Sequence, residues 1–131
     1  MNDILEIGKV FKSLLTGIDQ VNKEVKGRIF PSLAAENTPF PFIVYRRTAT
    51  QFEGTKDCYS QICTASVELV VCGKTYTQSL DIASAIVGNM PCEDIGDVEG
   101  FDVSSIELAG ASEQYNDGSF EQILSYNIEL Y

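Results

Sequence analysis

The chain has 131 residues, a hydrophobic fraction of 44%, and 19 acidic against 9 basic side chains, for a formal net charge of −10. That length fits one domain over residues 1–131 with a single core, and the apolar fraction excludes intrinsic disorder. The acidic balance excludes a protein that grips nucleic acid through its phosphates, which needs a basic surface.

The charge is unevenly spread. Residues 1–57 carry eight Lys/Arg and seven Asp/Glu, whereas residues 58–131 carry one Lys and twelve Asp/Glu. Two readings stand: the asymmetry keeps the protein soluble, or it lets the milder half of one subunit meet the acidic half of another. No stretch reaches the roughly 18 apolar residues of a membrane span. Met1-Asn2-Asp3-Ile4 lacks the basic start and apolar run of a signal peptide, so the expectation is a protein that stays where it is made.

In chain order, Ile4, Leu5, Ile7, Val10, Phe11, Leu14 and Leu15 recur at helical spacing and predict an amphipathic helix over 3–16. Asn2 or Asp3 would cap it, and Gly17 would end it in a left-handed conformation. Residues 18–27 read as a polar connector with a short helical turn. Arg28-Ile29-Phe30 reads as a short strand before a proline-bearing loop at 31–41. Phe42 to Thr50 is a strand whose start is apolar on both faces, which suits burial on both sides.

A polar tip with Gly54 follows at 51–59. From 60 to 72, Cys63, Ala65, Val67, Leu69 and Val71 alternate with polar residues, the mark of a half-buried strand paired antiparallel to its predecessor. Thr75 to Met90 is the second helix, opened by a Thr75–Gln78 capping box. Its apolar stripe is predicted as Tyr76, Leu80, Ala83, Ile86, Val87 and Met90. Residues 91–100 read as an acidic loop, Val103 to Ala109 as a strand, and Phe120 to Tyr131 as the last strand. Asp117-Gly118 forms the tight turn before that last strand. The fold class expected is α+β: a mainly antiparallel sheet of about four strands with two amphipathic helices packed against it.

Chemistry is sparse. The chain has no histidine, the side chain best suited to proton transfer near neutral pH. It has no P-loop, G-x-S-x-G or G-x-G-x-x-G. Cys58, Cys63, Cys72 and Cys92 form no C-x-x-C pair, and reduced buried thiols are expected over a disulfide or a metal site. The 91–100 segment does not follow a calcium-loop pattern, leaving a solvated loop or a weak cation site. No catalytic residue, cofactor or metal is expected, and the chain reads as no enzyme.

The element order resembles the tail-completion or tail-terminator proteins of long-tailed bacteriophages and prophages. The likeness runs through the opening helix, Gly27-Arg28-Ile29-Phe30-Pro31, and Pro39-Phe40-Pro41-Phe42-Ile43-Val44-Tyr45. It continues through the helix after Thr75 and a closing hairpin. That hairpin holds Tyr115-Asn116-Asp117-Gly118 and Gln122-Ile123-Leu124-Ser125-Tyr126-Asn127-Ile128. The resemblance covers nearly the whole chain. It implies a structural protein that forms a homo-oligomeric ring, usually sixfold, on the tail tube. Such a ring meets the tail tube protein and the head connector, and DNA passes through its lumen without sequence-specific binding. The place implied is the bacterial cytoplasm during assembly, then the virion tail. Another neck or head-closure protein, or a ligand-binding or regulatory module of a bacterial host, are the alternatives.

Within a ring, the 42–57 hairpin is the expected subunit contact, with Phe42, Val44, Tyr45, Arg46, Arg47, Phe52 and Lys56. Its arginines would fork onto carboxylates of the next subunit. Glu93, Asp94, Asp97 and Glu99 are candidates to line the lumen, where like charge keeps DNA from sticking. The alternative is that they face outward and aid solubility.

Overall fold

The computed structural model describes residues 4–52 and 63–131. Among the described residues the chain forms three α-helices: α1 (Gly8–Thr16), α2 (Asp19–Val25) and α3 (Tyr76–Asn89). Six strands accompany them: β1 (Ile29–Pro31), β2 (Phe42–Phe52), β3 (Cys63–Gly73), β4 (Glu93–Val98), β5 (Phe101–Asn116) and β6 (Ser119–Leu130). They make one sheet of order β1-β2-β3-β6-β5-β4. The neighbours β2–β3, β3–β6, β6–β5 and β5–β4 are antiparallel, while β1 runs parallel to β2.

This corrects the expected fold of about four antiparallel strands and two helices. The sheet has six strands and is mixed, and a third helix is present. Each addition has a local cause. β1 is too short to show a period, yet Ile43 N donates to Arg28 O at 2.9 Å and Ser32 N to Tyr45 O at 2.8 Å, bonding it to β2. β4 replaces the predicted acidic loop. Three acids and Gly96 depress its strand propensity, but it pairs only with β5, and an edge strand tolerates charge and a bulge. Its residues Ile95 and Val98 pack against the core.

The predicted helix over 3–16 divides into a 3-10 turn at Ile4–Glu6 and α1, and the caps expected at Asn2 or Asp3 lie outside the described residues. Gly17 ends α1 in a right-handed conformation (φ −77°, ψ −10°). The left-handed cap occurs one helix later, at Lys26 (φ 52°) after α2.

Other expectations hold. β2 and β3 are antiparallel neighbours, and Ala65, Val67, Leu69 and Val71 of β3 are all buried on one face. Across the sheet they oppose Ile128, Tyr126, Leu124 and Gln122 of β6. α3 covers this face, and Phe11 of α1 sits 5.8 Å, centroid to centroid, from Tyr126. At the start of α3 the Thr75 hydroxyl accepts from Gln78 N at 3.1 Å. Gln78 Oε1 accepts in turn from Lys74 N at 2.8 Å, so the side chain reaches one residue further than the simple capping box. The β5–β6 turn places Asp117 at φ 48° and Gly118 at φ 85°, the positive values that a two-residue hairpin needs.

The buried face of α3 is rotated from the predicted stripe. Ser79, Ile82, Ala83 and Ile86 are buried. Tyr76, Leu80 and Val87 are 45%, 39% and 45% exposed. Ser79 is admitted to the interior because its hydroxyl donates to Tyr76 O at 2.8 Å. Spacing cannot separate the two stripes, because Ile82 and Leu80 are equally apolar.

Candidate subunit interface

The sheet order converts a charge difference along the chain into one across the molecule. β1 and β2, with α1 against β2, occupy one side of the sheet, and β5 and β4 occupy the other. Arg28, Arg46 and Arg47 lie on or beside β1 and β2, and Lys9 and Lys12 on α1; Lys23 and Lys26 belong to α2, which packs on both α1 and α3. Residues 91–131, which build β4, β5 and β6, hold ten acids and no Lys or Arg.

Both sides end in open strand edge. β1 pairs with β2 only at Ile43, Val44 and Tyr45, so β2 from Arg46 onward has no neighbour on that side among the described residues. β4 pairs with β5 no further than Ser105, so Glu107 to Asn116 are likewise open on their outer side. Residues 107 to 116 are all exposed. Natural proteins seldom leave such edges long without a use or a protecting charge.

The structure places the predicted contact residues on two faces of β2. Ile43 is wholly buried on the helix-covered face. Phe42 and Val44 lie opposite Cys72 and Val70 and remain half-buried, with Phe42 stacked on Phe40 at 5.4 Å. The expected covering of both faces is thus met on one face by this chain's own helices. Tyr45 shares the helix side and packs over Gly8, where a Cβ would come within 2.5 Å of its ring. Burial pushes the Tyr45 phenol up, and Lys9 nearby opposes that shift.

Arg46 pairs across the strands with Glu68 at 3.3 Å. An exposed pair of this kind contributes little stability. Arg47 is exposed and donates to Thr50 Oγ1 at 2.7 Å. The side chain of Phe52, and Lys56 with the rest of the predicted tip, lie outside the described residues, as does Cys58.

Glu93, Asp94 and Asp97 fall on β4, the last strand of the acidic side, and Glu99 follows in the turn to β5. All four are exposed. Asp94 Oδ1 accepts from the Tyr131 hydroxyl at 3.2 Å. Among the described residues no group of three His, Cys, Asp or Glu side chains is arranged to hold a metal ion. Cys72 is a free, buried thiol and Cys92 a free, exposed one.

Sequence reasoning missed a recess at the far end of the acidic side. Tyr76, Tyr115 and Phe120 wall it together with Glu113, Gln114, Glu121 and Gln122, around an open hollow of about 290 Å³. The Phe120 ring lies 4.8 Å from Tyr115 and 6.3 Å from Tyr76. Its residues come from α3 and both strands of the hairpin, so no local pattern announces it. A second, open groove of about 770 Å³ runs between α2 and α3, lined by mixed side chains that include Lys23, Glu24, Gln78 and Asp81. It lacks the enclosed apolar walls of a small-molecule site.

No family model matches the chain. No curated protein matches it in sequence. Among solved structures, a chain of the virion of a native gene transfer agent particle is similar, with a TM-score of 0.63 and 8% identity. The match covers 94% of this chain and 92% of that one. A second solved chain is similar with a TM-score of 0.58 and 10% identity, covering 100% of this chain and 96% of that one. At these identities the likeness is one of fold. Among the described residues no helix is long and apolar enough to cross a membrane.

Proposed function

We propose that the chain is a structural protein of a phage, prophage or phage-like particle, which caps the tail tube as a sixfold ring and joins it to the head connector. The observation that carries this reading is the charge asymmetry across one sheet: nearly balanced acids and bases gather with β1, β2 and the helices beside them, whereas β4, β5 and β6 carry acids and no Lys or Arg. A ring is built by bringing one patch of a subunit against a different patch of the next, so it needs two unlike, complementary sides. The shared fold with a chain of a gene transfer agent virion supports a place in a particle of that kind. Binding partners are then further copies of the chain, the tail tube protein and the connector. The role needs no catalysis, cofactor or sequence-specific grip on nucleic acid. Glu93, Asp94, Asp97 and Glu99 line the lumen in this reading, where they repel the phosphates of passing DNA.

The test is a reconstruction of the protein bound to tail tubes. A closed ring on the tube end, with β4 toward the lumen, is expected. A monomer on the tube's side, or a lumen lined by Lys9, Lys12, Lys23 and Lys26, overturns the reading.

A further inference from the structure

We infer that the recess between α3 and the β5–β6 hairpin is a socket for Arg47 of a second copy of this chain. The inference rests on the head-to-tail association proposed above and names its contact.

The recess has the chemistry of a cation acceptor. Phe120 forms its centre, and Tyr115 and Tyr76 flank it at 63% and 45% exposure. Large aromatic surface left in water at the mouth of a hollow is uncommon without a partner. Two carboxylates complete the wall. Gln122, almost wholly buried, donates to Glu113 Oε2 at 3.1 Å and to Ser79 Oγ at 3.5 Å, which fixes Glu113 from below. Gln114 donates to Glu121 Oε1 at 2.6 Å. Among the described residues neither carboxylate forms an ion pair; the two pairs present are Lys9–Glu6 and Arg46–Glu68. Aromatic faces beside carboxylates suit a guanidinium, which stacks on rings and forks onto oxygens at once. A hollow of about 290 Å³ fits one long side chain better than a drug-sized ligand.

The occupant is argued from charge. The socket lies among strands that carry no Lys or Arg; apart from Lys74, which follows β3, the described bases lie with β1, β2, α1 and α2, so a second copy supplies the complement. Among its arginines, Arg28 is engaged by Pro41 O and Glu24 O, and Arg46 by Glu68. Arg47 donates to the Thr50 hydroxyl rather than to a carboxylate, is exposed, and stands on the open stretch of β2.

The experiment reads ring formation on tail tubes, and in concentrated solution, by native mass spectrometry. Wild type is compared with Arg47→Glu, Glu113→Gln, Tyr115→Ala and the exchange pair Arg47→Glu with Glu113→Arg. Each variant is first matched to wild type in heat unfolding and circular dichroism; Glu113→Gln keeps the side chain's shape, so one folded variant is secured. Each single variant is expected to raise the concentration for half-assembly about tenfold, and the exchange pair to recover most of it. Wild-type rings with unchanged assembly in the single variants overturn the socket and leave the ring standing. Rings lost by Lys26→Glu but kept by Arg47→Glu also overturn it. A wild-type protein that never self-associates in either setting overturns the ring, and the socket with it.

Discussion

Cys72 on β3 and Tyr126 on β6 are both buried, and burial pushes the thiol up to about 11 and the phenol up to about 12. In each case the neutral form is favoured by the fold. Such a group contributes stability that is fully present below its unfolded-state value, 9.0 for the thiol, and is lost as pH rises toward the folded one. The heat-unfolding midpoint should therefore fall between about pH 9 and pH 11, with Tyr126 extending the fall toward about pH 12. Cys72→Ala should remove the earlier part of that decline and leave the later part. The same burial separates the thiols kinetically, since only the thiolate reacts and access is needed. In native protein at pH 8, site-resolved mass spectrometry should find Cys92 alkylated promptly and Cys72 only on unfolding. Equal rates at the two positions would contradict the packing described.

At the scale of the element, α3 gives the sharpest division between legible and hidden features. Its start at Thr75 and its length follow from local chemistry, a side chain satisfying an orphan backbone donor. Its buried face does not, because two apolar stripes share the helix and only the sheet beneath selects one. Ile86→Ala should cost about 2–5 kcal/mol, since the side chain is wholly buried. Val87→Ser, one position on, should stay within about 0.5 kcal/mol. Denaturant unfolding of the two variants checks the assignment, and a larger loss at Val87 would restore the stripe predicted from spacing. β4 and the outer half of β5 were illegible for a related reason. Beyond the predicted strand end at Ala109, Gly110 to Asn116 carry no period-two pattern, and their strand conformation is imposed by β6 through an unbroken ladder from Gly110–Ser125 to Asn116–Ser119.

For the whole molecule, the consequential feature is that one side of the sheet carries nearly balanced charge, including almost all the bases, and the other side acids alone. Contacts between such sides are electrostatic and screened, with a Debye length of about 3 Å at molar salt. Assembly of rings on tail tubes should therefore weaken as salt is raised and recover on dilution, read by sedimentation of tube-bound protein. Assembly that strengthens with salt would point instead to the half-buried apolar row of Phe42, Val44 and Val70 as the principal contact. Phe42 and Val44 belong to the second apolar face that the sequence predicts for this strand, and the fold leaves that face without a helix among the described residues.

The local sequence determined the capped start of α3, the alternation of β3 and β6, the Asp117-Gly118 turn and the antiparallel β2–β3 pair. Each rests on interactions within a few residues or on a period of two or 3.6. It also determined that the charge is lopsided. Tertiary structure alone decided which side of the molecule each charge occupies, because β6 inserts between β3 and β5 and carries the acidic segment away from β2. It alone assembled the aromatic recess, whose walls are more than 35 positions apart in sequence, from Tyr76 to Tyr115. Strand pairing over such separations is governed by burial of the shared apolar face, a property of the whole sheet that no single window of residues contains.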